Sequence, residues 1–315
     1  MKRSIKAAMA AAVIALSGTA GLAQDWTPPG PIKLMIAFAA GGGADTQARM
    51  IAAELEALKG WNIIPEQVTG KGGLNAVNAL ASEPGDGTAI AMIVTESLGY
   101  NASAAGIDGP GSATPISTTA GTEMAVVALS SKGYTTLGDV IDAAKGGAEI
   151  RFGAMSPALA DLAYVIGKEN GVDFNIISVR GGRAVMDGLN AGDMDVGFGA
   201  GIQAKAVAAG DMVELASAKS SALSGTPDAP MLSDYNVPYT NDTMFLIAGP
   251  ANMDPAARDA IAAALSDVLN ADGSEAAGFI TKGFGGVKMI QGDELTALVQ
   301  NAFKQAGALL DASAE

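Results

Sequence analysis

The sequence contains neither cysteine nor histidine. Without a thiol or an imidazole there are no disulfides, no zinc centre of the usual kind and no Ser–His or Cys–His catalytic pair, which removes a large group of enzyme mechanisms. Only carboxylates remain as strong metal ligands, and no metal or catalytic residue is assigned. Basic side chains are scarce as well: 19 Lys and Arg stand against 33 Asp and Glu, for a formal net charge of −14. Such a balance repels nucleic acid and anionic lipid. Long apolar runs are also missing. The one from Ala7 to Leu16 is about half the roughly 20 residues a membrane-spanning helix needs.

That run sits between a charged start, Met1-Lys2-Arg3 with Lys6, and the small-residue stretch Ser17 to Ala23. Charged start, apolar middle and small-residue end make a secretory signal peptide, with cleavage expected after Ala23 because Gly21 and Ala23 present little side chain to the peptidase. The mature chain would begin at Gln24, with no membrane insertion after cleavage and, lacking cysteine, no lipid anchor. Its 292 residues exceed what one core usually serves, so two lobes are expected.

From Ile32 to Phe38 a short apolar run reads as a buried strand, broken by Gly41-Gly42-Gly43 and followed by apolar residues at helical spacing from Ala44 to Leu58. Strand-like and helix-like segments then alternate: 62–68, 74–81 and 88–95 complete a first α/β lobe. The pattern restarts at 124–129 and runs through 137–144, 150–153, 158–169, 174–179, 183–191, 196–199, 202–209 and 212–217. Thr243 to Ala248 reads as a strand that returns the chain to the first lobe. Asp254 and Pro255 start a further helix, and 275–282 and 293–310 are helical patterns expected to pack outside that lobe. The domains are therefore expected at 24–123 with 242–315, and at 124–241, in an α/β fold whose sheets are mostly parallel and flanked by helices.

Two segments join a strand to a helix start in the way an anion site requires. In Ala39-Ala40-Gly41-Gly42-Gly43-Ala44-Asp45 several N–H groups can converge where the helix dipole is positive, and glycine lets a ligand approach the backbone. The segment is neither a Walker loop, which would end in Gly-Lys-Ser/Thr, nor a dinucleotide fingerprint, which needs a third spaced glycine, so no nucleotide cofactor is called for. Asp45 falls in the first helical turn, where a carboxylate caps the helix and can orient the loop's donors. The second segment is Gly153-Ala154-Met155-Ser156-Pro157-Ala158, with Ser156 as N-cap and Pro157 at the first helical position. Ligands of open α/β sheets bind beyond the carboxyl ends of the strands, so loops of this kind on two lobes can form opposite jaws of a cleft.

The run PIKLMIAFAAGGGADTQAR from Pro31 to Arg49 resembles the opening of the tripartite tricarboxylate transporter receptors, the TctC or Bug-type proteins. KGGLN at Lys71–Asn75, PGDGT at Pro84–Thr88, RGGRA at Arg180–Ala184, GDMDV at Gly192–Val196 and TPDAP at Thr226–Pro230 follow in that family's order and rough spacing. The resemblance covers essentially the whole mature chain. It implies a two-lobed type II periplasmic binding-protein fold with two interlobe crossings, and a small organic carboxylate gripped, partly through water, by Phe38 to Asp45 and by Ala154 to Ala158. It also implies pocket roles for Thr95 and Ser97 and for Gly181 and Gly182, a location in the periplasm, a monomer, and membrane transporter subunits as partners.

This chain departs from the family pattern at three places. Val179-Arg180 stands where Tyr-Lys is common, Phe198-Gly199 where Phe-Asp is common, and Glu96 where a small residue is usual. Arg180 is either a carboxylate clamp or a surface charge. Glu96 is either solvated or turned inward, and in the second case it favours a ligand with an amino group or a metal. The expected function is a transport receptor without catalysis. A solute sensor with the same cleft and a different outer surface is the alternative, and an enzyme acting on carboxylates a more distant one.

Overall fold

A computed structural model describes residues 26–314, so the signal-peptide expectation for residues 1–23 lies outside the described part. The chain opens with β1 (Ile32–Ile36), α1 (Gly43–Lys59), β2 (Ile63–Gln67), α2 (Leu74–Leu80) and β3 (Ala89–Val94). Three short helices, α3 (Thr95–Leu98), α4 (Tyr100–Ala104) and α5 (Gly109–Ser112), lead to β4 (Ala113–Gly121). A second unit follows: β5 (Ala125–Leu129), α6 (Leu137–Lys145), β6 (Arg151–Ala154), α7 (Pro157–Asn170), β7 (Asn175–Ser178), α8 (Gly182–Ala191), β8 (Val196–Gly199), α9 (Ala204–Ala208) and β9 (Met212–Ser217). The chain then returns as β10 (Met244–Pro250) and ends in α10 (Pro255–Leu269), α11 (Glu275–Phe284) and α12 (Gly292–Ala314).

Two five-stranded sheets result, ordered β2-β1-β3-β10-β4 and β7-β6-β8-β5-β9. In each, one strand runs against its neighbours: β10 is antiparallel to β3 and β4, and β5 to β8 and β9. Those are the strands that enter a lobe directly after a crossing, which explains why the otherwise parallel sheets are mixed. The crossings run side by side, with Thr122 donating from its amide (2.9 Å) and its hydroxyl (3.0 Å) to the carbonyl of Thr243.

The central strands form because they can be buried on both faces. Every residue of β3, AIAMIV, is buried, as is every residue of β10; such runs suit a sheet covered by helices on both sides. The helices begin where their caps dictate. Ser156 accepts from the amide of Leu159 at 3.3 Å, Asp254 from Ala256 at 2.8 Å, and each cap is followed by proline.

Besides the short helices α3 to α5, which the sequence reading leaves out, two features depart from it. Strand β4, ATPISTTAG, was not expected, because its buried Ser117, Thr118 and Thr119 break any apolar pattern. Their hydroxyls are satisfied locally: Thr118 donates to the carbonyl of Lys288 at 2.7 Å and Thr119 to Gln47 at 2.6 Å. The segment before α12 also hydrogen-bonds along this strand, Thr118 to Ile290 at 3.0 Å and Lys288 to Thr119 at 3.0 Å, covering what would be an open sheet edge. The second departure is α12. Its first half packs on the first lobe through Leu295 and Val299, but Ala306, Leu309 and Leu310 pack with Tyr100 of α4 and Ala158 of α7. The last helix is therefore not confined to the outside of the first lobe and spans both. Among the described residues no helix is long and apolar enough to cross a membrane.

Candidate ligand cleft

Sheet order places the strand ends. In both lobes the central strands deliver their carboxyl ends to the interlobe face, and the residues just beyond β1, β3, β6, β7 and β8 enclose a cavity of about 70 Å³, room for about five waters. From the first lobe come Phe38, Ala39, Gly42 and Gly43; from the second, Met155, Ser156, Gly181 and Gly182.

Gly42 is the N-cap of α1 and Gly181 the N-cap of α8, so Gly43, Ala44, Gly182 and Arg183 are first-turn residues whose amides have no partner within their helices. Ser156 caps α7. Three helix N-termini from two lobes thus meet at one cavity: α1 and α8 offer first-turn N–H groups and the positive end of a dipole, whereas α7 brings its dipole and the Ser156 cap, since Pro157 has no N–H and the amide of Leu159 donates to Ser156. Gly181 adopts φ 87°, which a side-chain-bearing residue rarely does. The other walls are apolar, chiefly Met124, Leu159, Ile202, Phe245 and Phe284.

The lobes are closed on each other here. A Cβ added at Gly181 would lie 3.8 Å from the Cβ of Phe38, and one at Gly43 would lie 2.6 Å from Cζ of Phe284 and 3.2 Å from Cγ2 of Ile202. At Gly42 a Cβ would meet the carbonyl oxygen of Ala39 at 3.1 Å.

Of the residues assigned from sequence, Phe38, Ala39, Gly42, Gly43, Ser156, Gly181 and Gly182 line the cavity. Pro157 and Arg180 lie instead in a wider groove of about 350 Å³ on one flank, shared with Phe38, Ser156 and Gly181. Lys71 enters that groove from the first lobe and Arg180 from the second. These two sit on equivalent loops, after β2 and after β7, and among the described residues neither is paired with an acid.

The remaining residues are not brought to the cavity. Ala40 and Gly41 are exposed at the loop tip, and the amide of Gly41 donates to Asp45 at 2.8 Å. Asp45 is buried and also accepts from Arg49 at 2.8 Å and from Gln67, so it braces the loop from behind. Ala154 is in the core of the second lobe. Ser97 is fully buried and donates to the carbonyl of Gly72 at 2.8 Å. Thr95 accepts from the amide of Met244 at 3.1 Å, and with Ala158 it faces a separate pocket under α12.

Glu96 is not solvated. It is 8% exposed, lines the cavity, and accepts from Asn241 at 2.7 Å and Asn101 at 3.2 Å, with the Thr243 hydroxyl at 3.5 Å. Sequence reading missed most of the apolar wall. Met124, Ile202, Phe245 and Phe284 come from four separate segments, and only Met124 and Phe245, at strand starts beside the crossings, carry a positional signal. Among the described residues no three acidic side chains are grouped to hold a metal ion.

Two α/β lobes of this strand order, joined by adjacent crossings around an interlobe cavity, define the two-lobed type II periplasmic binding-protein fold. No family model matches the chain. A UPF0065 protein of Bordetella bronchiseptica is 24% identical over 290 residues, covering 87% of this chain and 83% of that protein. Among solved structures, MatC of Rhodopseudomonas palustris with bound malate superposes with a TM-score of 0.77 at 18% identity, covering 90% of this chain and all of that one. Rpa4515 of R. palustris with adipate gives 0.80 at 17% identity over 91% and 98%. The periplasmic binding protein BugD gives 0.79 at 18% identity over 91% and 99%. The resemblance to TctC and Bug-type receptors that the motifs carry is borne out by these likenesses.

Proposed function

We propose that this chain is a periplasmic receptor that captures a small carboxylate between its lobes and delivers it to a membrane transporter of the tripartite tricarboxylate type, acting as a monomer and catalysing nothing. The observation that carries the reading is the convergence of the N-termini of α1, α7 and α8 on one interlobe cavity, with unpaired first-turn amides on α1 and α8. Main-chain donors at helix starts bind an anion without a cationic side chain, which suits an acidic protein. Because the donors come from both lobes, a bound carboxylate bridges them and favours the closed state selectively. The malate and adipate in the two R. palustris structures are of the expected chemical class.

The reading is tested by incubating the mature protein with mono-, di- and tricarboxylates, following thermal unfolding, and assaying the solution for altered ligand. A ligand at a hundred times its Kd should raise Tm by about 5 °C and be recovered unchanged. Gly42→Val should abolish the shift, since its side chain would press on Ala39 and on the entry of the anion. Turnover of the ligand, or an undiminished shift in the variant, would overturn the assignment.

A further inference from the structure

Glu96 poses a problem for a receptor of simple carboxylates. It is a buried acid in the wall of the cavity, on the side shared with the pocket under α12, yet among the described residues no lysine or arginine pairs with it. Its partners are neutral: the amides of Asn241 and Asn101 and the hydroxyl of Thr243, itself a wall residue. The charged neighbour on the opposite wall, Arg183, is engaged with Asp187 at 2.9 Å. The surrounding cluster is short of donors as well. Asn101 and Asn241 are 2% and 8% exposed, and each has a buried Oδ1 with no hydrogen-bond partner.

An ionised carboxylate shut away from water without a counter-charge is unfavourable. A second carboxylate held in the same cavity makes it worse through like-charge repulsion. The missing component is a positive group rich in donors, and an ammonium supplies three. The cavity therefore has two unlike poles: helix-start amides that attract an anion, and Glu96 that attracts a cation.

We infer that the ligand of this cleft carries a protonated amine beside its carboxylate, and that Glu96 is the residue that selects it. The class is that of amino acids: the carboxylate takes the amides of the helix starts and the amine donates to Glu96. The inference rests on the carboxylate-receptor reading above and narrows it.

Matched pairs that differ only by the amine test it: alanine and propionate, aspartate and succinate, phenylalanine and 3-phenylpropionate, measured by calorimetry on the mature protein. In the pair of the right size the amine-bearing member should bind at least tenfold tighter. Malate, with a hydroxyl in place of the amine of aspartate, should side with succinate. In Glu96→Gln the preference should collapse to within about twofold, and the amine-free member should bind more tightly than it does to the wild type. Since the comparison within each pair needs no variant, it stands even if Glu96→Gln folds poorly. Equal affinity for both members, or an amine preference that survives in Glu96→Gln, would overturn the role of Glu96 while leaving a carboxylate receptor. Failure of every member of all three pairs to bind would overturn the receptor reading and this inference with it.

Discussion

Asp195, at the entry of β8, gathers four donors on one carboxylate. Arg151 reaches it with Nε and Nη2, both at 2.9 Å, Lys132 with Nζ at 2.6 Å, and the amide of Arg151 at 3.0 Å. The Arg151 guanidinium first, and Lys132 after it, hold the carboxyl well below the usual aspartate range. A depressed folded-state pKa contributes stability that is fully present above the unfolded value near 3.8 and is lost as pH falls through the folded value. Both cations are about a third exposed, so solvent screening limits the gain. Asp195→Asn should cost about 1–2 kcal/mol at pH 7. Urea unfolding of both proteins at pH 7 and pH 3 checks this: the gap should narrow at pH 3, where the wild type has begun to lose its advantage. Asp139, pushed down to about 2 by the Thr135 hydroxyl and the amides of Thr135 and Thr136, loses its contribution over the same acid range. At this scale the sequence is informative about caps and silent about partners. Ser156, Asp254 and Asp45 announce themselves by their place before or within a first turn, whereas the inward turn of Glu96 depends on Asn241, 145 residues away, which no local pattern reveals.

Most elements were legible because the central strands β1, β3, β5 and β10 are rich in apolar residues and each long helix has its cap or apolar stripe in the sequence. Where hydroxyl-bearing residues are buried instead, as in β4, periodicity has nothing to register. The same limit applies to α12: a helical stripe says which face is apolar but not what that face meets. Here it meets both lobes. Ala306 is buried between Tyr100 of α4 and Ala158 of α7, and one turn away Tyr100 donates its hydroxyl across the lobes to Asp161 of α7. Burial and that neighbouring carboxylate together hold the phenol protonated well past its ordinary range, so the contact persists at any physiological pH. A helix that packs on both lobes while they are closed favours closure. Ala306→Asp places a charge in that contact and leaves the two main cores intact. It should lower ligand affinity about tenfold, the cost of a weakened closed state, with little change in secondary structure. X-ray scattering at saturating ligand should give a larger radius of gyration than for the wild type; unchanged affinity and size would reduce α12 to simple packing.

At the level of the whole molecule, an anion must approach a body of net charge −14 before it reaches amides that welcome it. The two influences act over different distances. The net charge repels at long range and is screened by salt, with a Debye length of about 30 Å at 0.01 M and about 8 Å at 0.15 M. The helix-start amides act only inside the closed cavity, where screening is weak. Between these ranges stand Lys71 and Arg180, one on each lobe, in the groove flanking the cavity. At low salt the global repulsion dominates, so the association rate of a dianionic ligand should rise severalfold, up to on the order of tenfold, between about 0.01 and 0.15 M salt. That is the reverse of a steered encounter between opposite charges. Once the long-range field is screened, an incoming anion meets the two groove cations together with the carboxylate of Asp161, which accepts from the Tyr100 hydroxyl. Replacing both, as Lys71→Gln with Arg180→Gln, should therefore slow association at 0.15 M by several fold while leaving dissociation from the closed cavity nearly unchanged. Stopped-flow kinetics across the salt series distinguishes the two terms. A rate that falls with salt in the wild type would mean that the groove cations outweigh the whole-body charge even at a distance, and the capture of an anion by so acidic a protein would then depend on two side chains at its rim.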